Sequence, residues 1–244
     1  MRCVLAAMGF RNKDSLYNKN VIINTMIKYA DAADIILFGE AFLQGFYGVN
    51  FDVAHDEKIA ITKDDAIIKE ICSVAERYSV AVSFGFIEKS GEYFFSSQMT
   101  IDSAGQIIDI YRRVSPGWKE PFAGSAYREG ECFQAFAFRN KRIVVGLCGD
   151  LWFEENIKAI NELMPELVFW PVYTDYSYNA WNKTVKHEYA EQAGKIDAKV
   201  LYVNSVCLDK DADDIAKGGA AVFCKGAIEK EIPSGREEVF VVEV

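Results

Sequence analysis

Several runs in this chain are apolar at successive positions and stop on a glycine, and they constrain the fold more than any other feature. Asp34-Ile35-Ile36-Leu37-Phe38-Gly39 and Val144-Val145-Gly146-Leu147 show no alternation of wet and dry positions. A strand with one solvated face alternates, so a run of this kind has to be covered on both sides. Helical spacing recurs between such runs, in Leu16 through Ala30 and in Asp64 to Tyr78 with its acidic first turn. With 244 residues and 50% hydrophobic composition the chain can bury one large core.

The order of elements is read as follows. Residues 2 to 7 form a strand, Leu16 to Ala30 a helix, 34 to 39 a strand, Asp64 to Tyr78 a helix and Val80 to Glu88 a strand closed by the turn Ser90-Gly91. Ser97 to Ile101 and Gln106 to Tyr111 pair about Ser103-Ala104-Gly105, and Phe133 to Phe138 pairs with Arg142 to Leu147 about Asn140-Lys141. Glu154 to Leu163 is helical, Leu167 to Pro171 a strand, Trp181 to Ala198 a long helix and Val200 to Ser205 a strand. Ala220 to Cys224 and Val239 to Val244 close the chain, flanking a turn at Lys225-Gly226. The progression of the first half recurs loosely in the second. Two facing sheets with helices on their outer faces, a four-layer α/β/β/α sandwich, satisfy strands that are apolar on both sides. Residues 1–244 are expected to form a single domain.

What these runs deliver at their ends points to chemistry. Leu147-Cys148-Gly149 presents one thiol at a break after a strand, and Gly39-Glu40 presents a carboxylate in the same way. Ile107-Ile108-Asp109-Ile110-Tyr111-Arg112-Arg113 closes on cations and is followed by Gly117-Trp118-Lys119-Glu120. Acid, cation and thiol are the parts of an acyl-transfer site: the carboxylate takes the thiol proton and returns it to a leaving amine, while the cation and backbone N–H groups steady a tetrahedral oxyanion. The plain alternative is that Cys148 is a small core residue.

The ordered set resembles the nitrilase superfamily of carbon–nitrogen hydrolases over nearly the whole chain. Phe38-Gly39-Glu40 looks like the segment of the family's general base, with Gly39 where proline is usual. Phe95-Ser96-Ser97 through Ile101-Asp102-Ser103-Ala104-Gly105 resembles the hairpin before the lysine segment, and Leu147-Cys148-Gly149-Asp150-Leu151-Trp152-Phe153 the nucleophile segment. Glu188-Tyr189-Ala190-Glu191-Gln192, Val203-Asn204-Ser205 and Gly218-Gly219-Ala220-Ala221-Val222-Phe223 follow in the family's usual order. The resemblance implies the same sandwich, a glutamate–lysine–cysteine catalytic set and assembly into homodimers or larger homo-oligomers.

One departure is central. Tyr111-Arg112-Arg113 carries arginine where the family has its catalytic lysine. A guanidinium is planar, longer and permanently charged, so it stabilises an oxyanion but shuttles no proton. Three readings stay open: Arg113 acts in the lysine's place, Lys119 reaches in, or catalysis has been lost and the chain is a binding or regulatory protein. Glu120 matches the second glutamate that many members place beside the set. Gly149 and Trp152 are candidates for the oxyanion or substrate contacts, whereas Asp150 is expected to secure the strand-end turn through backbone N–H groups. Tyr173-Thr174-Asp175-Tyr176-Ser177-Tyr178 follows a buried strand on the same rim, where Asp175 could pair with an ammonium and Tyr173 or Tyr176 could cover an alkyl chain; the alternative is a solvated loop whose aromatics pack locally.

Composition narrows the partners. A formal charge of −9 argues against nucleic-acid backbones and anionic membranes. Cys3, Cys72, Cys132, Cys148, Cys207 and Cys224 lie mostly in apolar runs without metal spacing or disulfide density, which fits a reducing cytoplasm. The apolar stretch at the start, Met1 to Ala7, is too short for a signal peptide or a membrane span. Only His55 and His187 are present, one in a charged loop and one in a Lys/Glu-rich helical pattern, so a cysteine–histidine mechanism and a zinc site lack their ligands. Gly218-Gly219 lacks the ending of a phosphate loop. No metal or cofactor is expected. The sequence therefore predicts a hydrolase of a small amide or carbamoyl substrate working through a cysteine thioester.

Overall fold

The computed structural model describes residues 1–209 and 215–244. Two six-stranded sheets organise it. In spatial order the first holds Glu238–Glu243, Arg2–Ala7, Ile35–Leu37, Ala81–Ser90, Tyr93–Ile101 and Ile107–Arg112. The second holds Ala227–Ile232, Ala220–Cys224, Lys199–Asn204, Leu167–Val172, Lys141–Val145 and Ala135–Phe138. Each sheet has three parallel strands at its centre and antiparallel partners outside.

Alternate side chains of the apolar runs separate the layers. Leu5, Leu37, Val145, Phe169, Leu201 and Val222 pack between the sheets. Their neighbours Val4, Ile36, Val82 and Phe84 face helices Ser15–Tyr29 and Ala66–Tyr78 through Ile22, Met26, Ile68 and Ile71. On the far side Val144, Val168, Trp170, Val200 and Tyr202 face helices Glu154–Glu162 and Lys186–Ala193 through Ile157, Ile160, Tyr189 and Ala193. This is the four-layer α/β/β/α arrangement, and both faces of the central strands are dry as the runs required. Local signals set the helix starts: Asp14 accepts from Tyr17 N (3.0 Å) and Asp65 from Ile67 N (2.9 Å).

Several elements differ from the sequence reading. The turn at Lys225-Gly226 joins Ala220–Cys224 to a further strand, Ala227–Ile232, while Glu238–Glu243 crosses to the first sheet and pairs with Arg2–Ala7. Ala-Ile-Glu-Lys-Glu-Ile is largely exposed at a sheet edge and carries three charges, so it has little of the apolar pattern of a strand. The expected helix from Trp181 to Ala198 begins earlier, at Tyr178, passes through a wide turn over Trp181–Val185 and ends at Ala193. Two short strands, Gly9–Phe10 and Val206–Cys207, also pair outside the main sheets.

Candidate active site

The parallel strands of both sheets release their chains at one end of the sandwich, and the two ends touch. Glu40 N donates to Val172 O of the second sheet (3.2 Å), and Gly39 N donates to Ser205 Oγ (3.2 Å). Gly85 lies beneath this turn: a Cβ there would stand 2.3 Å from Ala41 N and 2.7 Å from Glu40 Cα. Only a glycine in the neighbouring strand lets the Glu40 backbone come so close. The Glu40 carboxylate, wholly buried, accepts from Ser96 Oγ (2.9 Å) and from Arg113 Nη1 (3.1 Å).

Cys148 opens a short 3₁₀ turn and has a left-handed backbone, φ 42°. That conformation costs a residue other than glycine about 1 kcal/mol or more and persists only where its surroundings hold it. Here Trp170 Nε1 donates to Cys148 O (2.8 Å), and Asp150 accepts from Leu147 N (2.8 Å), Ser115 N (2.7 Å) and Tyr111 Oη (2.6 Å). Asp150 thus secures the turn and also ties it to the segment carrying the cation. The Cys148 thiol donates to Tyr173 O (3.4 Å). Burial, followed by the Glu40 carboxylate, pushes the thiol up to about 12, with Arg113 opposing. The resting group is a neutral thiol beside its acceptor.

The structure brings Glu40, Arg113 and Cys148 together. Arg112 turns the other way and grips Glu88 with Nε (2.8 Å) and Nη2 (2.6 Å), so the two adjacent arginines serve different glutamates. Lys119 and Glu120 are not drawn into the group. Lys119 Nζ donates to Tyr127 O and to Glu129, both at 2.8 Å, and Glu120 is exposed, with no hydrogen bond to its carboxylate among the described residues. The Pro116-Gly117 turn, with Gly117 at φ 98°, leads this segment outward. Ser96, which the sequence offers only as part of the hairpin segment, and Ser115, which no sequence pattern marks, reach the group only through folding.

The remaining rim residues are placed less uniformly. Gly149 is half-buried against Arg113. Trp152 is exposed and meets Tyr189 edge to face. Tyr173 offers its carbonyl to the thiol, while its ring is buried and stacks on Phe46 at 4.4 Å. Asp175 is exposed, and its carbonyl accepts from Lys217 Nζ (3.2 Å). His55, expected in a charged loop, lies in the short helix Val53–Asp56, where its Nδ1 is 2.7 Å from Asp56, which also accepts from Tyr127 Oη (2.7 Å). Among the described residues no group of three His, Cys, Asp or Glu side chains is placed to hold a metal ion, and no helix is long and apolar enough to cross a membrane.

Residues 12–208 match the carbon-nitrogen hydrolase family model, and the chain belongs to that enzyme family. It is similar to an (R)-stereoselective amidase from a Pseudomonas species, with 25% identity over 100% of this chain and 85% of that protein. It is also similar to N-carbamoylputrescine amidase of Arabidopsis thaliana, with 26% identity over 69% of this chain and 58% of that one, and to a citrullinase of Francisella tularensis, with 24% identity over 65% and 64%. Among solved structures, an amidase of the nitrilase superfamily from Nesterenkonia superposes with TM-score 0.81 at 18% identity, covering 100% of this chain and 90% of that chain. A glutamine-dependent NAD+ synthetase from Acinetobacter baumannii gives TM-score 0.78 at 19% identity, covering 98% of this chain but 44% of that chain, so this fold also occurs as part of a larger enzyme.

Proposed function

We propose that the protein hydrolyses the carbon–nitrogen bond of a small amide or carbamoyl amine through a thioester on Cys148. The observation that carries this reading is the buried Glu40 carboxylate, paired with Arg113 Nη1 at 3.1 Å and close enough to the Cys148 thiol to raise its pKa. Sγ attacks the carbonyl carbon as its proton passes to Glu40. The resulting oxyanion is met by Arg113 and by backbone N–H groups after Cys148. Glu40 then gives the proton to the departing nitrogen, the carbon–nitrogen bond breaks, and ammonia or an amine leaves. Water, losing a proton to Glu40, attacks the thioester; the acid departs and the thiol is restored. No step requires the cation to give up a proton, so a permanently charged arginine suffices.

A carbamoyl amine or ω-amide is the preferred substrate class. Its support is the exposed Asp175 on the Tyr173 segment, suited to an ammonium, together with the similarity to N-carbamoylputrescine amidases and a citrullinase. Residues 1–244 are read as one such unit, assembled as a homo-oligomer in a reducing cytoplasm where the thiol stays available. The test is ammonia release from ω-amides, carbamoyl amines, aliphatic amides and nitriles by the native chain and by Cys148→Ala. The expected result is turnover of at least one carbamoyl or ω-amide compound, an acyl adduct on the Cys148 peptide by mass spectrometry, and loss of both in the variant. Turnover that survives Cys148→Ala would sink the thioester mechanism.

A further inference from the structure

We propose that Gly149 is the seat of the Arg113 guanidinium, a position left without a side chain so that an arginine can stand between Glu40 and the nucleophile turn; the inference rests on the reading of Arg113 as the working cation. A Cβ on Gly149 would lie 2.6 Å from Arg113 Nη2 and 3.0 Å from Ser115 Oγ. Real Cβ contacts are essentially never closer than 3.0 Å, so the space a side chain would take is already filled by the guanidinium. Gly149 is absent from the positive-φ residues, so its backbone does not call for glycine; the space does.

The guanidinium has little room to retreat. Nε donates to Ser115 Oγ (3.0 Å), Nη2 to Pro116 O (3.0 Å) and Nη1 to Glu40 (3.1 Å), so all three nitrogens are held and the plane is set. On another side, a Cβ on Gly117 would be in ordinary contact with Nη2 at 3.5 Å. Arg113 is 4% exposed. Nη1 also reaches the second Glu40 oxygen, Oε2, at 3.5 Å, so most of its five N–H donors are engaged. A methyl group at Gly149 would push the end of this side chain by several tenths of an ångström. The group that must move is a side-chain end and not backbone, so the fold should survive while the Nη1–Glu40 pair is displaced. Gly149 is therefore a positioning residue, and a shorter ammonium at position 113 would leave its seat empty.

The experiment is a cycle of four proteins: the native chain, Gly149→Ala, Arg113→Lys and the double variant. Three quantities are read: kcat and KM on the best amide, the alkylation rate of the Cys148 peptide by iodoacetamide at pH 8 followed by mass spectrometry, and Tm. Gly149→Ala should lower kcat about 10- to 100-fold, the scale of effects from sub-ångström misplacement of reacting groups. KM should change less, and Cys148 should alkylate several-fold more slowly because its cation has moved. Adding Gly149→Ala to Arg113→Lys should change kcat, alkylation and Tm little. Equal losses in both backgrounds, a loss confined to KM, or native kcat in Gly149→Ala would each overturn the inference. If the alanine variant melts early, recovery of Tm in the double variant supports the seat and a persistent loss overturns it. Should no amide be turned over by the native chain, the proposed function fails alone, since non-additive or additive alkylation rates still decide the role of Gly149.

Discussion

The two sheets follow one plan but carry different residues at matching places. Starting from Glu238–Glu243 in the first and Ala135–Phe138 in the second, successive pairings run antiparallel, parallel, parallel, antiparallel, antiparallel in both. Arg2–Ala7 thus matches Lys141–Val145, and Ile35–Leu37 matches Leu167–Val172. In the matched registers Cys3–Ile35 and Ile143–Leu167, the place of Cys148 is taken in the first half by Met8, and the place of Glu40 in the second half by Val172. Cys148 and Glu40 therefore follow non-equivalent strands of the two halves. The repeated plan provides the places, and the chemistry arises from filling them unequally. Val172 shows the division well, because at the place of Glu40 it offers no carboxylate, and its carbonyl accepts from Glu40 N (3.2 Å).

The comparison can be broken most sharply at Glu40. Glu40→Gln should reduce kcat by about 10²- to 10⁴-fold, the range for a lost general acid–base group. The same change should speed alkylation of Cys148 at pH 8, because the carboxylate that holds the thiol up is gone. Lower turnover with an unchanged or slower alkylation rate would separate Glu40 from the nucleophile. On the second-sheet side, Trp170→Phe removes the Nε1 hydrogen bond that holds the left-handed Cys148. A loss of about 1 kcal/mol, roughly fivefold in kcat, is expected with little change in KM; an unaltered kcat would mean that Asp150 holds the turn alone.

The smallest effect concerns the sheet edges. Ala227–Ile232 leaves its charges in water, whereas Ile107–Arg112 buries Asp109, whose Oδ1 accepts from Gln134 Nε2 (2.7 Å) and whose Oδ2 has no hydrogen-bond partner among the described residues. Burial pushes this carboxyl up to about 6, and the Gln134 bond only partly offsets it. The folded chain therefore holds the proton more tightly than the unfolded one, and stability falls as pH rises through the interval from 3.8 to about 6. Asp109→Asn should raise Tm at pH 8 and scarcely alter it at pH 3.5. An equal change at both pH values would show that the shape of the side chain, and not its charge, matters there.

How much could be read before folding follows from the range of the forces involved. Unbroken apolar runs require two covered faces wherever they occur, so the sandwich, most strand positions and the thiol and carboxylate at strand ends follow from local pattern. Ala227–Ile232 escaped because an edge strand is stabilised by one neighbour and keeps its charges in water. Lys119 and Arg113 stand six positions apart in one polar segment, and nothing local distinguishes which cation meets Glu40. That choice was made by the Pro116-Gly117 turn, by the pull of Glu129 on Lys119 and by Ser115, Asp150 and Gly149 gathered around Arg113. The amino-acid sequence by itself determined the layers and the residue types available at their ends, since burial of apolar runs is a local requirement. Only the tertiary structure decided which acid, cation and thiol stand together, because direct contacts between residues as far apart in the chain as Glu40 and Arg113 exist only after both sheets have packed.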